Sequence, residues 1–199
     1  MLFRNILKNI LVKEGNIVAI CKLKDICLKI GSGATPRGGK TAYCDTGISF
    51  IRSQNVQDFT FSYNGLVHIN DYQALKLSNV EVKLQDVLLN ITGDSVARAC
   101  KVDAELLPAR VNQHVAIVRP DENKILSSYL LYFLQLIKPS LLKLAAEGAT
   151  RNALTKNMIE NLEIELPDLN KQRKIISILD NIQTKINENN KINKNLSAA

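Results

Sequence analysis

The chain has 199 residues, 46% of them apolar, which gives room for one domain of ordinary size plus an appendage, with ample core. Its longest mainly apolar run, residues 129–137, is interrupted by Gln135 and falls far short of the roughly 20 residues that span a bilayer; residues 1–11 carry Arg4 and Lys8 and lead to no small-residue cleavage site, so a cytoplasmic protein is expected. The net charge of +7 is split as eight basic and two acidic side chains in 1–40, six and three in 168–199, but twelve against fourteen in 41–165, which excludes a uniformly positive face and leaves phosphate attraction to loops around Arg37, Lys40, Arg98, Arg110 and Arg151.

Phe3, Ile6, Leu7, Ile10 and Leu11 follow helical spacing and predict a short N-terminal helix over residues 1–15. Residues 17–23 read as a strand. The stretch 31–39, with four glycines and Pro36, predicts a loop, and 48–52 a strand. Further strands are expected at 66–69, 87–92, 97–102 and 111–118, separated by polar, Gly-bearing or Pro-bearing turns. Residues 127–137 read as a helix, Pro139 suits the first turn of a second that ends at Gly148, and 153–161 give a brief third. Residues 162–166 return as a strand, Pro167 stops it, and Asp168 is placed as the N-cap of a long final helix. The fold class is therefore α+β: a β-rich globule over 1–167, followed by a C-terminal coiled-coil helix over 168–199.

On a seven-residue repeat, Ile175, Ile182, Asn189 and Leu196 occupy one seam position of that helix, and Leu179, Ile186 and Asn193 the other. Most other positions there are polar, so the apolar stripe is narrow and calls for a partner. Each fully buried Ile or Leu contributes roughly 1.5–3 kcal/mol, while Asn189 and Asn193 give up stability to penalise wrong registers. The alternative is a terminal helix packed on its own domain.

Several chemical motifs fail on inspection. Gly33 to Thr41 ends in Gly39-Lys40-Thr41 like a phosphate-binding loop, but five residues rather than four separate Gly33 from Gly39, and no helix is expected to follow. The apolar run before Asp180, which could pass for a magnesium-holding segment, lies in the coiled-coil helix. Gly93-Asp94-Ser95 is similar to an esterase nucleophile motif, yet neither His68 nor His114 has an Asp three residues before it, so both read as structural or surface histidines. Carboxylates are scattered singly, which leaves paired acid–base chemistry unsupported. Cys21, Cys27, Cys44 and Cys100 form no C-x-x-C pair and lack the His spacing of a zinc site, so buried thiols are expected.

Taken in order, other pieces carry a resemblance. Leu23-Lys24-Asp25-Ile26, then Gly31-Ser32-Gly33-Ala34-Thr35-Pro36, then Gly47-Ile48-Ser49-Phe50-Ile51-Arg52 with Asn55-Val56, resemble the opening of a target recognition domain in type I restriction–modification specificity subunits. Gln85-Asp86-Val87-Leu88-Leu89 through Gly93 resembles that family's "gDvLl…G" segment, and Asn112-Gln113-His114 its "NQ" strand. Ser128-Tyr129-Leu130-Leu131-Tyr132, Gly148-Ala149-Thr150 with Leu154, Leu166-Pro167 and the helix from Gln172 to Leu179 resemble the domain's last third and its conserved helix. Family members commonly carry two such domains and two such helices; here there is one of each.

The resemblance implies a non-catalytic DNA-reading subunit that needs no cofactor and directs methyltransferase subunits to double-stranded DNA; whether a restriction subunit takes part stays open. Major-groove readout uses Arg for guanine and Asn or Gln for adenine. The candidates in predicted loops or strand ends are Arg37, Lys40, Arg52, Gln54, Asn55, Arg98, Arg110, Asn112, Gln113, Arg151 and Asn152. One domain reads one half-site, so two chains are expected to pair antiparallel through the terminal helix, whose ~25 residues span about 37 Å, close to the roughly 34–36 Å of one DNA turn. Pairing with a different specificity chain, or an assembly module that does not bind DNA, are the alternatives.

Overall fold

A computed structural model describes residues 19–147 and 152–196; the helix expected over 1–15, and Gly148, lie outside them. The chain opens with β1 (Ala19–Lys22), one helical turn α1 (Leu23–Ile26) and β2 (Cys27–Ser32). Then come β3 (Tyr43–Cys44), β4 (Ile48–Ile51), β5 (Val67–Ile69), helix α2 (Asp71–Lys76), β6 (Glu81–Val82), β7 (Val87–Asn90), β8 (Ala99–Lys101), β9 (Ala109–Val111) and β10 (Val115–Pro120). Helices α3 (Ser127–Leu136), α4 (Lys138–Glu147) and α5 (Lys156–Glu160), strand β11 (Glu163–Leu166) and helix α6 (Leu169–Leu196) complete it. The α+β class and the long terminal helix agree with the sequence reading.

Strand periodicity explains the layers. On β7, Val87 and Leu89 face one apolar cluster and Leu88 the other; on β10, Ala116 and Val118 face the first and Val115 and Ile117 the second. Because side chains alternate across a pleated strand, a strand that is apolar at every position must be covered on both faces. The four-stranded antiparallel sheet β2-β10-β7-β8 is that covered layer. Helix α3 with the start of α6 closes one face through Tyr129, Leu130, Phe133, Ile175 and Leu179. The five-stranded sheet β3-β5-β4-β9-β6, in which only β4 and β9 run parallel, closes the other through Phe50, Ile51, Ile69 and Val111. A separate pair, β1 with β11, ties the start of the described chain to the segment before α6.

The expected single strand over 111–118 is a correction. Asn112 accepts the His114 backbone N–H through its side-chain oxygen at 3.1 Å, and Val115 N–H donates to the Asn112 carbonyl at 3.1 Å. That side-chain turn breaks the strand, so β9 joins one sheet and β10 the other. Strand β2 and helix α2, capped by Asn70 accepting from Gln73 N–H at 2.9 Å, were not expected.

Helix α6 begins as expected, with Lys171 N–H donating to the Asp168 carboxylate at 3.0 Å; the capping bonds hold that carboxyl below the usual range. Gln172 is fully buried: its amide donates to the carbonyls of Lys124 and Pro167 and accepts from Leu126 N–H. Ile175 and Leu179 are 2% and 0% exposed within the chain's own core. They are therefore not seam residues, which corrects the heptad reading: only Ile182, Ile186, Asn189, Asn193 and Leu196 remain on the stripe beyond the body. Among the described residues no helix is long and apolar enough to cross a membrane.

Candidate nucleic-acid interface

Register places one end of the strands at a common rim. The last residues of β4 and β9 pair as Ile51 with Val111, the last of β7 pairs with the first of β10 as Asn90 with Val115, and β8 starts at Ala99 opposite Leu89. Strand β2 arrives there too, with Ser32 opposite Ala116. Backbone hydrogen bonds then stitch the two sheets: Gly33 N–H to Val115 O at 2.9 Å extends the β2–β10 pairing, Asn112 N–H to Ile51 O at 2.9 Å extends β9–β4, and Ala34 N–H to Val111 O at 3.0 Å crosses from one sheet to the other. Gly33 is required at this crossing, because a Cβ there would lie 2.1 Å from the Val111 carbonyl oxygen and 2.3 Å from that of Asn112. The loops after β2, β4, β7 and β9 thus open on one side, and Gly93 N–H to Asn152 O at 3.3 Å brings in the segment before α5.

This rim gathers six of the expected readers. Arg37 is exposed in the loop after β2. Arg52 donates to Gly65 O at 2.5 Å and lies over the Tyr43 ring, 5.6 Å from its centre, while its Nε is buried with no hydrogen-bond partner. Gln54 donates to the same carbonyl at 3.2 Å. Arg98 donates to the Gln57 side chain at 3.0 Å. Gln113 and Asn152 are exposed. Their neighbours were not anticipated: His114 Nδ1 lies 2.7 Å from Thr92 Oγ1 and its Nε2 lies 3.2 Å from Gln113 Nε2, so the ring braces the Gln113 amide. Spacing in the sequence gives no sign of this, because Thr92 and His114 meet only through the β7–β10 pairing.

Three expected readers face inward instead. Asn55 is fully buried, accepts from Arg52 N–H at 3.0 Å and donates to Ser62 O at 2.9 Å, which folds the loop after β4. Arg110 is 8% exposed, donates to the carbonyls of Ala74 and Ala109 and sits 3.6 Å from Glu81. Asn112 is 8% exposed and makes the turn described above. Each is buried and hydrogen-bonded within the chain, so none can meet a base without rearranging its surroundings. Arg151 and the side chain of Lys40 lie outside the described residues.

Among the described residues the rim holds no catalytic constellation. The partners of His114 are a hydroxyl and an amide, and among the described residues no group of three or more His, Cys, Asp or Glu could hold a metal ion. Residues 33–44 pass through a single 3-10 turn, Gly39–Ala42, into β3, so the phosphate-loop reading is absent from the fold as well as from the spacing. Burial pushes the thiols of Cys27 and Cys100 up to about 12, away from nucleophilic character at neutral pH.

A family model described as the type I restriction modification DNA specificity domain matches residues 18–198. The chain belongs to that family. Over 174 residues it is 24% identical to a type I restriction enzyme MjaX specificity subunit of Methanocaldococcus jannaschii, covering 85% of this chain and 40% of that protein. Over 116 residues it is 28% identical to a specificity subunit of Haemophilus influenzae, covering 58% and 29%. The fold is shared with a chain of a type I R-M system complex (TM-score 0.76, 22% identity, 99% of this chain and 47% of that one) and with the HsdS subunit from Thermoanaerobacter tengcongensis (TM-score 0.69, 22% identity, 94% and 43%). The chain thus spans under half the length of each of these relatives. The relatives from Methanocaldococcus jannaschii and Haemophilus influenzae are named as specificity subunits, in line with the non-catalytic reading of the sequence.

Proposed function

We propose that this chain is the DNA-reading part of a type I restriction–modification system, and that its rim lies on the DNA. The observation that carries the reading is the convergence of Arg37, Arg52, Gln54, Arg98, Gln113 and Asn152 on one rim, in a chain of the DNA specificity domain family. Guanidinium and amide groups are the side chains that discriminate guanine and adenine in the major groove, and the arginines also attract phosphate. On this reading residues 1–167 form the target recognition domain and 168–199 the assembly helix. Two copies pair through that helix in the cytoplasm and direct methyltransferase subunits, with or without a restriction subunit, to a bipartite site.

The test is modified-base sequencing of DNA from cells carrying a related methyltransferase, with and without this gene. A gene-dependent interrupted palindrome is the expected outcome; an asymmetric interrupted motif points to pairing with a different specificity chain, and no gene-dependent modification overturns the DNA-reading assignment. In purified form, Arg98→Ala weakens DNA binding and lowers the slope of log affinity against log salt by about one per half-site.

A further inference from the structure

The loop after β4 folds around one carbonyl oxygen. Arg52 donates to Gly65 O through Nη2 at 2.5 Å, and Gln54 donates to the same oxygen through Nε2 at 3.2 Å. The segment that carries this oxygen is tied down from beneath: the buried Asn55 amide donates to the carbonyls of Ser62 at 2.9 Å and Asn64 at 3.3 Å, and Ser62 N–H donates to Asn55 O at 2.7 Å. Gln57 donates to Gln54 O at 2.8 Å and so holds the Gln54 backbone. Arg52 rests on the Tyr43 ring, which packs in turn on the fully buried Phe50 with ring centres 5.7 Å apart. A line of contacts thus runs from the core to the rim and ends at Gly65 O.

The shared acceptor divides the two side chains by what each has left. A guanidinium grips guanine through two donors at once. Arg52 has given Nη2 to Gly65, and its Nε is buried without a partner, so only Nη1 remains for an outside contact. Its charge can draw a phosphate, but its fork cannot close on a guanine. Gln54 keeps more. A carbonyl oxygen only accepts, so the Gln54 amide must turn an N–H toward Gly65. Because the residue is exposed, its second N–H and its Oε1 face solvent as a donor beside an acceptor. That pair complements adenine, which offers the N7 acceptor and the N6 donor in the major groove, and mismatches guanine, whose N7 and O6 both accept.

The arrangement requires glycine at position 65. Its φ of +67° is left-handed, and a Cβ there would lie 2.4 Å from Gln54 Nε2, displacing the amide from the carbonyl that orients it. Resting on the DNA reading proposed above, we infer that Gln54 is a specificity-determining residue that selects adenine at one position of each half-site, and that Gly65 is its positioning residue. Arg52 braces the same carbonyl and contributes charge rather than base selection.

The test is competition binding by the chain assembled with the related methyltransferase used above, on duplexes carrying the motif found by modified-base sequencing with each base pair replaced in turn. At one A·T pair, Gln54→Ala is expected to cut discrimination at least about five-fold while every other position stays within about two-fold. Replacing that adenine by 7-deazaadenine, which lacks the N7 acceptor, is expected to weaken the unsubstituted chain at least about five-fold and Gln54→Ala by less than about two-fold. Gly65→Ala, and Gly65→Asn, whose side chain tolerates the left-handed backbone, are expected to lose discrimination at the same position and to add no further loss to Gln54→Ala. Equal further loss in that background would make Gly65 merely structural and overturn its positioning role. Unchanged discrimination in Gln54→Ala, a uniform loss over all duplexes, or relaxation at a G·C pair overturns the adenine assignment and leaves DNA reading intact. Equal binding of the unsubstituted assembly to motif and scrambled duplexes overturns DNA reading itself.

Discussion

Gly33→Ala separates the geometry of the rim from its composition. The added Cβ would lie 2.1 Å from one carbonyl oxygen and 2.3 Å from the next, over an ångström inside van der Waals contact with backbone that cannot rotate away. Relief requires the loop after β2 to move off β9 and β10, which breaks the Gly33–Val115 and Ala34–Val111 hydrogen bonds. Losing two such bonds costs about 1 kcal/mol each, and residual overpacking adds roughly 1–3 kcal/mol, so about 3–5 kcal/mol is expected. At a urea dependence of about 2 kcal/mol per molar, the midpoint falls by roughly 1.5–2.5 M. Gly31→Ala, two residues away on β2, meets nothing within 4 Å and serves as the control, with a change below about 1 kcal/mol. Urea unfolding followed by circular dichroism reads both. Equal midpoints for the two variants would refute the claim that the sheets are stitched through a position only glycine fits.

Asp86 is 0% exposed and bound by Arg119 through two bonds of 2.6 and 2.8 Å. Asp86→Ala should therefore destabilise by about 3–5 kcal/mol in chemical denaturation, because it strips the partner from a largely buried guanidinium that stays charged without it. Cys100 should resist a thiol reagent at pH 8 until the protein is unfolded, while Cys44, only half-buried, reacts in the native state. The same burial gives a pH dependence. The native pKa of Cys27 and Cys100, about 12, lies above the unfolded value near 9, so the contribution from keeping them neutral is complete below pH 9 and is lost as pH rises towards 12, read as a falling thermal midpoint.

The strands at β7 and β10 were legible in the sequence, and their unbroken apolar runs, 87–89 and 115–118, are what require cover on both faces. The rim was legible only as a list of residue types. Asn112, Gln113 and Asn152 look alike in a sequence; what separates them is that the Asn112 oxygen lies within reach of the His114 backbone N–H and closes a turn, whereas Gln113 points outward. Arg110 went astray for a related reason: on β9, between β4 and β6, its guanidinium finds the Ala74 carbonyl, a partner that exists only after α2 has packed. The heptad pattern in α6 was correct as a stripe and wrong as an interface over its first part. A stripe specifies burial, not the surface that provides it, and here the chain's own body buries Ile175 and Leu179.

That division of the stripe makes the angle between helix and body a functional quantity. If two bodies read half-sites across a paired helix, any freedom where α6 leaves the body becomes tolerance in spacer length. The joint is held on one side by Gln172 and on the other by the Tyr132 hydroxyl, which donates to the Asp180 carboxylate at 2.6 Å. Burial and that carboxylate push the phenol's pKa upward, so it remains a donor throughout the neutral range. Tyr132→Phe removes the tie and leaves the ring in the core. A stability loss of about 1.5 kcal/mol is expected, the low end for a hydrogen bond to a charged partner because Asp180 is exposed. On the proposed pairing, discrimination between the preferred spacer and one a base pair longer or shorter should fall several-fold, with half-site affinity unchanged. Competition binding with a spacer series measures it. Undiminished discrimination alongside the expected stability loss would show that the helix is not what sets the spacing.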